Sequence, residues 1–313
     1  MDKYLSAVRL TELAALYASR HMGRGNENAA YLSAEEAMLR AFALAEVNMR
    51  IAIGSDMDGS RLVEGIRLGS LQNEPEADIA VKALDGKMSC ARGGHNAASV
   101  LAIGSIGAFM PTDAGSMIKI TVGQEGKGMI DIDLPPSINI KRIARAKNKY
   151  IEDITVCVLD REYNRSFVSQ IHETGARIVF IRDGDISGAV SAAMPGNQID
   201  LFIGIGGRKE GVLAAAAVRC LGGDMQARYI FREEDKDSDN MAGVDYNNIY
   251  NINDIVNGSE IMVAITGVTD GVLLKGVRYV SGGAETSSLV LRQKTHTIRE
   301  IKAHHKFDFK PGL

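Results

Sequence analysis

Tryptophan is absent from this 313-residue chain, aromatic residues make up 5% of it, and there are three cysteines. Cys90, Cys157 and Cys220 are far apart, odd in number and without metal-type spacing. They read as reduced core thiols of a cytoplasmic protein, not as a disulfide framework. No apolar run approaches the roughly 20 residues of a membrane span. The segment from Met1 to Ser6 lacks the apolar run of a signal peptide. Neither sign of charge is in large excess, the net value being -3. That excludes the basic footprint of a nucleic-acid binder and the polybasic patch of a membrane-surface protein. Internal repeats and low-complexity linkers are missing too.

What is present is 45% hydrophobic residues, 24% charged residues and 33 glycines, enough to bury a sizeable core in a glycine-turned α/β protein. Leu5, Val8, Leu10, Leu13 and Leu16 predict an amphipathic helix over 2–20, broken by Gly23-Arg24-Gly25-Asn26. Ser33-Ala-Glu-Glu36 has the pattern of a capping box, so a second helix is expected from there to about Asn48. Strands are expected at 49–53, 77–81, 97–106 and 117–122, and Gly126–Leu134 alternates like another. After Pro135-Pro136, apolar runs at 154–159, 177–181 and 199–203 alternate with helical segments near 163–174, 186–194 and 209–221. That alternation predicts βαβ units and a parallel sheet. Residues 232–258 read as a polar surface excursion, and 262–265 and 288–291 as late strands. Two α/β layers are expected, 1–150 and 151–313, with a site in the cleft between them.

Several polar loops follow apolar strands. Asp85, in Lys82-Ala-Leu-Asp85-Gly86-Lys87, sits on a turn beyond a strand. There it either holds a metal or a phosphate's partner, or stabilises the turn. Asp183-Gly184-Asp185 suits sugar hydroxyls or a cation, and equally an N-cap and turn. Ile203-Gly-Ile-Gly-Gly207-Arg-Lys-Glu210-Gly211 places glycines between a strand and a helix. Backbone N–H groups there can cradle a phosphate, and Arg208 and Lys209 add to that reading. A plain glycine turn is the alternative, and the motif is not a clean dinucleotide fingerprint. With Thr266-Gly-Val-Thr269-Asp-Gly271, three such loops suggest one shared site at a sheet edge. His95 reads as an acid–base group or a structural histidine, and His304-His305 as solvent-exposed.

Asp78-Ile-Ala-Val81, the Asp85-Gly86 turn, Asn96, Pro135, Asp183-Gly184-Asp185, Gly204-Ile-Gly-Gly207 with Glu210-Gly211, and Thr266-Gly-Val-Thr269 occur in one order. Together with Gly23-Arg24-Gly25 and Thr297-Ile-Arg-Glu-Ile301, they resemble the class II fructose-1,6-bisphosphatases of the lithium-sensitive phosphatase superfamily. The likeness runs from about residue 5 to His305. It implies a layered αβαβα sugar-phosphatase-like fold, a mixed sheet followed by a mostly parallel βαβ half. It also implies hydrolysis of the 1-phosphate of fructose 1,6-bisphosphate, with carboxylate-held Mg²⁺ or Mn²⁺ activating water. A cytoplasmic homo-oligomer acting on a phosphorylated sugar or related anion is the corresponding expectation.

On matching positions the resemblance makes Asp85 and Glu210 catalytic metal ligands. It makes Asp85, Gly86, Lys87, Ser116, Arg161, Glu162, Tyr163, Asp183, Gly184, Asp185 and Gly207 substrate-binding, with Lys82 beside them. This chain departs from the family at several of its positions. Tyr31 stands where an Asp is expected, and Glu27 where a basic residue is. The Gly-Glu-Gly-Glu ligand loop is shortened to Gly54-Ser-Asp56-Met-Asp58-Gly59, so Asp56 and Asp58 are candidate replacement ligands. Asp-Pro-(Ile/Leu)-(Glu/Asp)-Gly-Thr reads Lys82-Ala-Leu-Asp85-Gly86-Lys87. A sugar-phosphate Tyr is Ser116, and the Lys-Pro-Arg clamp is Arg161-Glu162-Tyr163, keeping one of two cations.

Two like unit charges about 4 Å apart repel by roughly 4 kcal/mol at an effective dielectric near 20, so Lys82 opposes a metal ion as well as failing to bind it. Three readings of Lys82 stay open: a point cation for phosphate, reinforced by Lys87 and Arg92; a Schiff-base former with a ketose phosphate; and a solvated lysine in a drifted pocket. Two functions follow. One is a phosphatase with Asp56, Asp58, Asp85 and Glu210 as a rebuilt set. The other is a non-catalytic paralogue that binds a phosphorylated ligand or partner subunit in regulation or scaffolding. The expectation is that the family reaction is weakened or lost.

Overall fold

The computed structural model describes residues 3–45, 47–70, 74–232, 245–258 and 260–309. The chain divides into two compact units, Met1–Phe109 with Gly258–Leu313, and Met110–Asn257. The division falls at 109/110 and 257/258, whereas the sequence reading placed one boundary near 150. The physical reason is that the last strands return to the first sheet.

The first unit opens with α1 (Lys3–Ser19) and α2 (Glu27–Ala43). Small buried residues on α1, Ala7, Ala14, Ala15 and Ala18, let it lie close to its neighbours. Asn26 caps α2, its side chain accepting the Ala29 N–H at 2.9 Å. The capping box expected at Ser33 therefore lies inside the helix. Ser33 bonds His21 instead at 2.8 Å, and Glu36 pairs with Arg40 at 2.8 Å. Next come β1 (Met49–Ile53), β2 (Arg67–Leu68), β3 (Ala77–Asp85), α3 (Lys87–Ala91) and β4 (Ala98–Gly104).

The second unit holds β5 (Ser116–Val122), α4 (Pro136–Ala146), β6 (Thr155–Leu159), α5 (Arg165–His172), β7 (Arg177–Ile181) and α6 (Asp185–Ala193). It continues with β8 (Leu201–Gly207), α7 (Arg208–Cys220), β9 (Asp224–Ile230), β10 (Tyr250–Asn251) and α8 (Ile252–Ile255). Its strand order is β10-β9-β5-β8-β6-β7. β7, β6 and β8 are parallel, as the βαβ alternation predicts, while β5 runs antiparallel to both β8 and β9. The strand expected over 126–134 does not form. Ile130 and Ile132 are buried, but the backbone is satisfied from outside a ladder. The Asn139 side chain accepts the Asp131 N–H at 2.8 Å, and Gln226 accepts the Ile132 N–H at 2.8 Å. Of the polar excursion read at 232–258, residues 233–244 lie outside the described residues.

The chain then returns to the first unit with β11 (Met262–Gly267), β12 (Arg278–Val280), β13 (Gly283–Arg292) and β14 (Thr297–Lys306). The order is β12-β13-β11-β4-β3-β1-β2, with β14 also on β13. Only the β1–β3 pair among these is parallel. His305 is buried and bonds Thr286 at 2.8 Å, contrary to the solvent-exposed reading; alternation along β14 turns it inward while His304 stays outside. Among the described residues no helix is long and apolar enough to cross a membrane.

Candidate functional site

The first unit carries Tyr31, Asp56, Asp58, Lys82 and Asp85. β3 ends in buried Asp85, and Gly86 turns the chain with φ 75° into α3. A Cβ at Gly86 would meet Ala97 Cα at 3.0 Å, so both the left-handed backbone and the close approach require glycine. The ladder to β4 shifts register between Lys82 and Asp85. Lys82 is half-buried, and its ammonium acts on Tyr31, which α2 holds at 2% exposure. Burial pushes the Tyr31 phenol above its ordinary value; Ser55, Ser60 and Lys82 act against this, and Glu35 adds to it. Tyr31, Lys82 and Glu35 thus share one neighbourhood.

Glu35 was not read from the sequence. It stands one helical turn after Tyr31, the signal that would have found it. Its carboxylate accepts the Arg61 N–H at 2.8 Å and the Ser60 hydroxyl, pinning the shortened loop. Within that loop the Ser55 N–H donates to Leu62 O at 2.7 Å. Asp56 and Asp58 are exposed on it. Lys87 is half-buried and Arg92 exposed. Other residues of the family pattern hold the scaffold. Asp78 forms a two-pronged pair with Arg50 at 2.8 Å and accepts the Gly107 N–H at 2.7 Å. Asn96 accepts the Val272 N–H at 2.8 Å, and Thr269 the Ala97 N–H at 3.0 Å. His95 is exposed, its Nδ1 3.1 Å from Asp270 O.

The second unit gathers the substrate-side positions. Gly184, with φ 83°, is the N-cap of α6, and no side chain caps that helix. Asp183 and Asp185 therefore do not serve as its cap. Asp183 accepts the Gly184 N–H at 3.1 Å. Asp185 is buried, and its Oδ2 accepts from Lys119 Nζ. Lys119 is fully buried on β5 and also donates to Gly207 O at 3.0 Å. Burial pushes the Asp185 carboxyl up; Lys119 acts against this, and the charges of Glu210 and Asp183 add to it. Lys119 was missed, although a lone charge within Met117-Ile118-Lys119-Ile120 signals a buried partner.

The glycines of 204–211 lie in a crowded stretch where a strand runs into a helix. Gly204 to Gly207 continue β8, paired with β5. The Ile205 N–H donates to Asn164 at 3.1 Å and the Arg208 N–H to Gly115 O at 2.9 Å, so these N–H groups do not open onto a ligand. A Cβ at Gly206 would meet Asp185 Oδ2 at 2.2 Å, and one at Gly207 would meet Glu210 Oε2 at 1.9 Å. The missing side chains make room for carboxylates. Buried Ser116 begins β5, and Arg232 Nη1 donates to its Oγ at 3.3 Å. The Arg232 guanidinium lies 4.1 Å from the Tyr163 ring centre. Arg232, which carried no sequence signal, thereby joins Ser116 to Tyr163. Arg161 is half-buried, and Glu162 is exposed and paired with Arg165 at 3.0 Å.

Thr266–Gly271 follows β11 of the first sheet, whereas the loops after β7 and β8 belong to the second. The single sheet edge expected for all three is therefore not formed. Among the described residues no three of His, Cys, Asp and Glu come together to hold a metal ion. Hard divalent ions such as Mg²⁺ or Mn²⁺ take oxygen donors; here Asp85 is buried, Lys82 is half-buried, Tyr31 is buried, and Asp56 and Asp58 are exposed.

A family model described as bacterial fructose-1,6-bisphosphatase, glpX-encoded, matches residues 2–305. A fructose-1,6-bisphosphatase class 2 of Haemophilus influenzae is 38% identical over 316 residues, covering 96% of this chain and 95% of that protein. A D-fructose 1,6-bisphosphatase class 2/sedoheptulose 1,7-bisphosphatase of Synechococcus sp. strain JA-2-3B'a(2-13) is 34% identical, covering 97% and 95%. The protein of the same description from strain JA-3-3Ab is 33% identical with the same coverage.

Proposed function

The chain belongs to the bacterial, glpX-encoded fructose-1,6-bisphosphatase family, and from that premise we propose that it is a sugar-phosphate protein whose metal-dependent hydrolysis of the 1-phosphate of fructose 1,6-bisphosphate is weakened or lost. The observation that carries this is that half-buried Lys82 and buried Tyr31 stand at two positions where the family resemblance expects acids. A divalent ion about 4 Å from the Lys82 ammonium would be opposed by roughly 8 kcal/mol at an effective dielectric near 20. Glu35 is already engaged by Ser60 and Arg61, one on each oxygen.

Asp183 and Asp185 offer acceptors for sugar hydroxyls, with Lys119 positioning Asp185. Ser116, Tyr163 and Gly207 complete the proposed substrate side. In this reading the protein retains a phosphorylated ligand and acts by regulation or scaffolding, as a homo-oligomer. The names of its relatives favour a second reading, a working phosphatase, for which Asp56, Asp58, Asp85 and Glu210 are the candidate ligands.

Phosphate release from fructose 1,6-bisphosphate with Mg²⁺ and with Mn²⁺ separates the two, beside thermal shifts with sugar phosphates in metal-free buffer. Stabilisation without turnover supports the first reading. Metal-dependent turnover, or tight stoichiometric metal in the purified protein, overturns it. Lys82→Asp alone is expected to leave turnover low, since Tyr31 and the shortened loop remain.

A further inference from the structure

Arg208 is a buried cation with no anion paired to it among the described residues. Its exposure is 5%. Its Nε donates to Ser116 O at 3.3 Å, and the guanidinium stacks 4.1 Å from the Tyr229 ring centre. Tyr229 is itself fixed, donating its hydroxyl to Thr112 at 3.0 Å. A Cβ at Gly115 would strike Arg208 Cζ at 2.9 Å, so the chain keeps a glycine there, at φ 139°, to admit the guanidinium. A buried guanidinium held by a carbonyl and a ring, but not neutralised, is costly unless an anion arrives.

A second guanidinium meets the same serine. Arg232 reaches Ser116 Oγ at 3.3 Å with its Cζ 4.1 Å from the Tyr163 ring centre. Both arginines therefore lie over an aromatic ring and donate to Ser116, one to its carbonyl and one to its hydroxyl. Planar forks held this way suit the tetrahedral oxygens of a phosphoryl group.

We propose that Arg208 and Arg232 form a two-guanidinium clamp at Ser116 that binds a phosphoryl group of a phosphorylated ketose. The clamp stands in for the tyrosine and the second cation that this chain lacks at Ser116 and Arg161–Tyr163. Its sugar-phosphate assignment rests on the proposed function; the anion site itself rests on the two arginines.

Calorimetric titration of the full chain, metal-free, with inorganic phosphate and with fructose 1,6-bisphosphate tests the clamp. Arg208→Met and Arg232→Met are each expected to weaken both titrants by about tenfold or more. Arg208→Lys keeps the charge but loses the fork and the stack, and is expected to fall between. Should Arg208→Met fail to fold, half-buried Arg232 decides the matter alone. Wild-type affinity in Arg232→Met, or no binding of either titrant by the wild type, overturns the clamp. Arginine-dependent phosphate binding without fructose bisphosphate binding keeps the clamp and removes the ketose assignment. Fructose bisphosphate binding indifferent to both arginines removes the clamp and leaves the proposed function standing.

Discussion

Replacing Lys119 by methionine removes the one cation bonded to the Asp185 carboxylate among the described residues, while keeping most of the side-chain volume. Lys119 is 0% exposed and bridges Asp185 Oδ2 and Gly207 O. The carboxylate left behind has no alternative: its Oδ1 has no hydrogen-bond partner among the described residues, and the nearby charges, Glu210 and Asp183, are of like sign. Attraction between unit charges about 4 Å apart at an effective dielectric near 20 is roughly 4 kcal/mol. Stripping one partner from a buried pair costs about 3–5 kcal/mol. We therefore expect Lys119→Met to lose about that much at pH 8.

The pH dependence follows from the sign of the shift. Burial already holds the Asp185 carboxyl above its ordinary 3.8, and losing Lys119 raises it further. The folded variant then binds the proton more tightly than the unfolded chain. Its stability is highest at low pH and falls as pH rises through the folded pKa. The penalty is thus largest at pH 8 and shrinks towards pH 5. Lys119→Met with Asp185→Leu, which removes both charges, should recover to within about 1–2 kcal/mol of wild type. Urea unfolding midpoints at the two pH values measure all of this. A single-variant loss below about 1 kcal/mol, or one indifferent to pH, refutes the reasoning.

Gly206→Ala should cost about 2–4 kcal/mol by thermal or urea melts, because its Cβ meets a carboxylate locked onto Lys119. Gly207→Ala should cost less, its obstacle being the movable end of Glu210; the reverse ranking would contradict the packing. Burial pushes the Cys90 thiol up to about 11 and the Cys157 thiol up to about 12. Both are expected to resist a disulfide-exchange reagent at pH 7.5 in the folded protein and to react in guanidinium; stoichiometric labelling of the native chain would count against that. Burial opposes the Asp200 carboxylate, but Lys147, Lys149 and the Thr155 N–H prevail and hold it below its ordinary 3.8. It stabilises the fold above that value and ceases to as pH falls through the folded pKa. Wild type and Asp200→Asn should therefore differ at neutral pH and converge in acid, read from urea midpoints; a gap unchanged by pH would be the contrary result.

Long periodic segments were legible because burial repeats along them. Helix α1, strands β1, β5, β6 and β7 and the parallel pairing in the βαβ half all show in apolar spacing. β9 and β14 were not read, because Asp224–Ile230 and Thr297–Lys306 interleave many polar side chains with the buried ones. The start of α2 was misplaced since Asn26 and Ser33 carry equally good local signals and only tertiary packing chooses between them. At the candidate site, the substitutions at Tyr31 and Lys82 were visible as letters, but their shared neighbourhood with Glu35 was not. In 204–211 spacing leaves an anion cradle and a plain glycine turn both open, and does not show that Gly206 and Gly207 are crowded by Asp185 and Glu210.

The return of β11 to the first sheet sets an order of events during synthesis. β4 pairs Ala98 with Gly267 and Ile103 with Met262, across the whole intervening unit. Until those late residues leave the ribosome, one face of the β4 ladder is an open edge, and such contacts close slowly. Residues 110–257 have all their strands well before that. The nascent chain therefore gains its second unit first and its first unit last, and the interval in which β4 waits unpaired is when it is most open to chaperone capture or to pairing with another nascent chain.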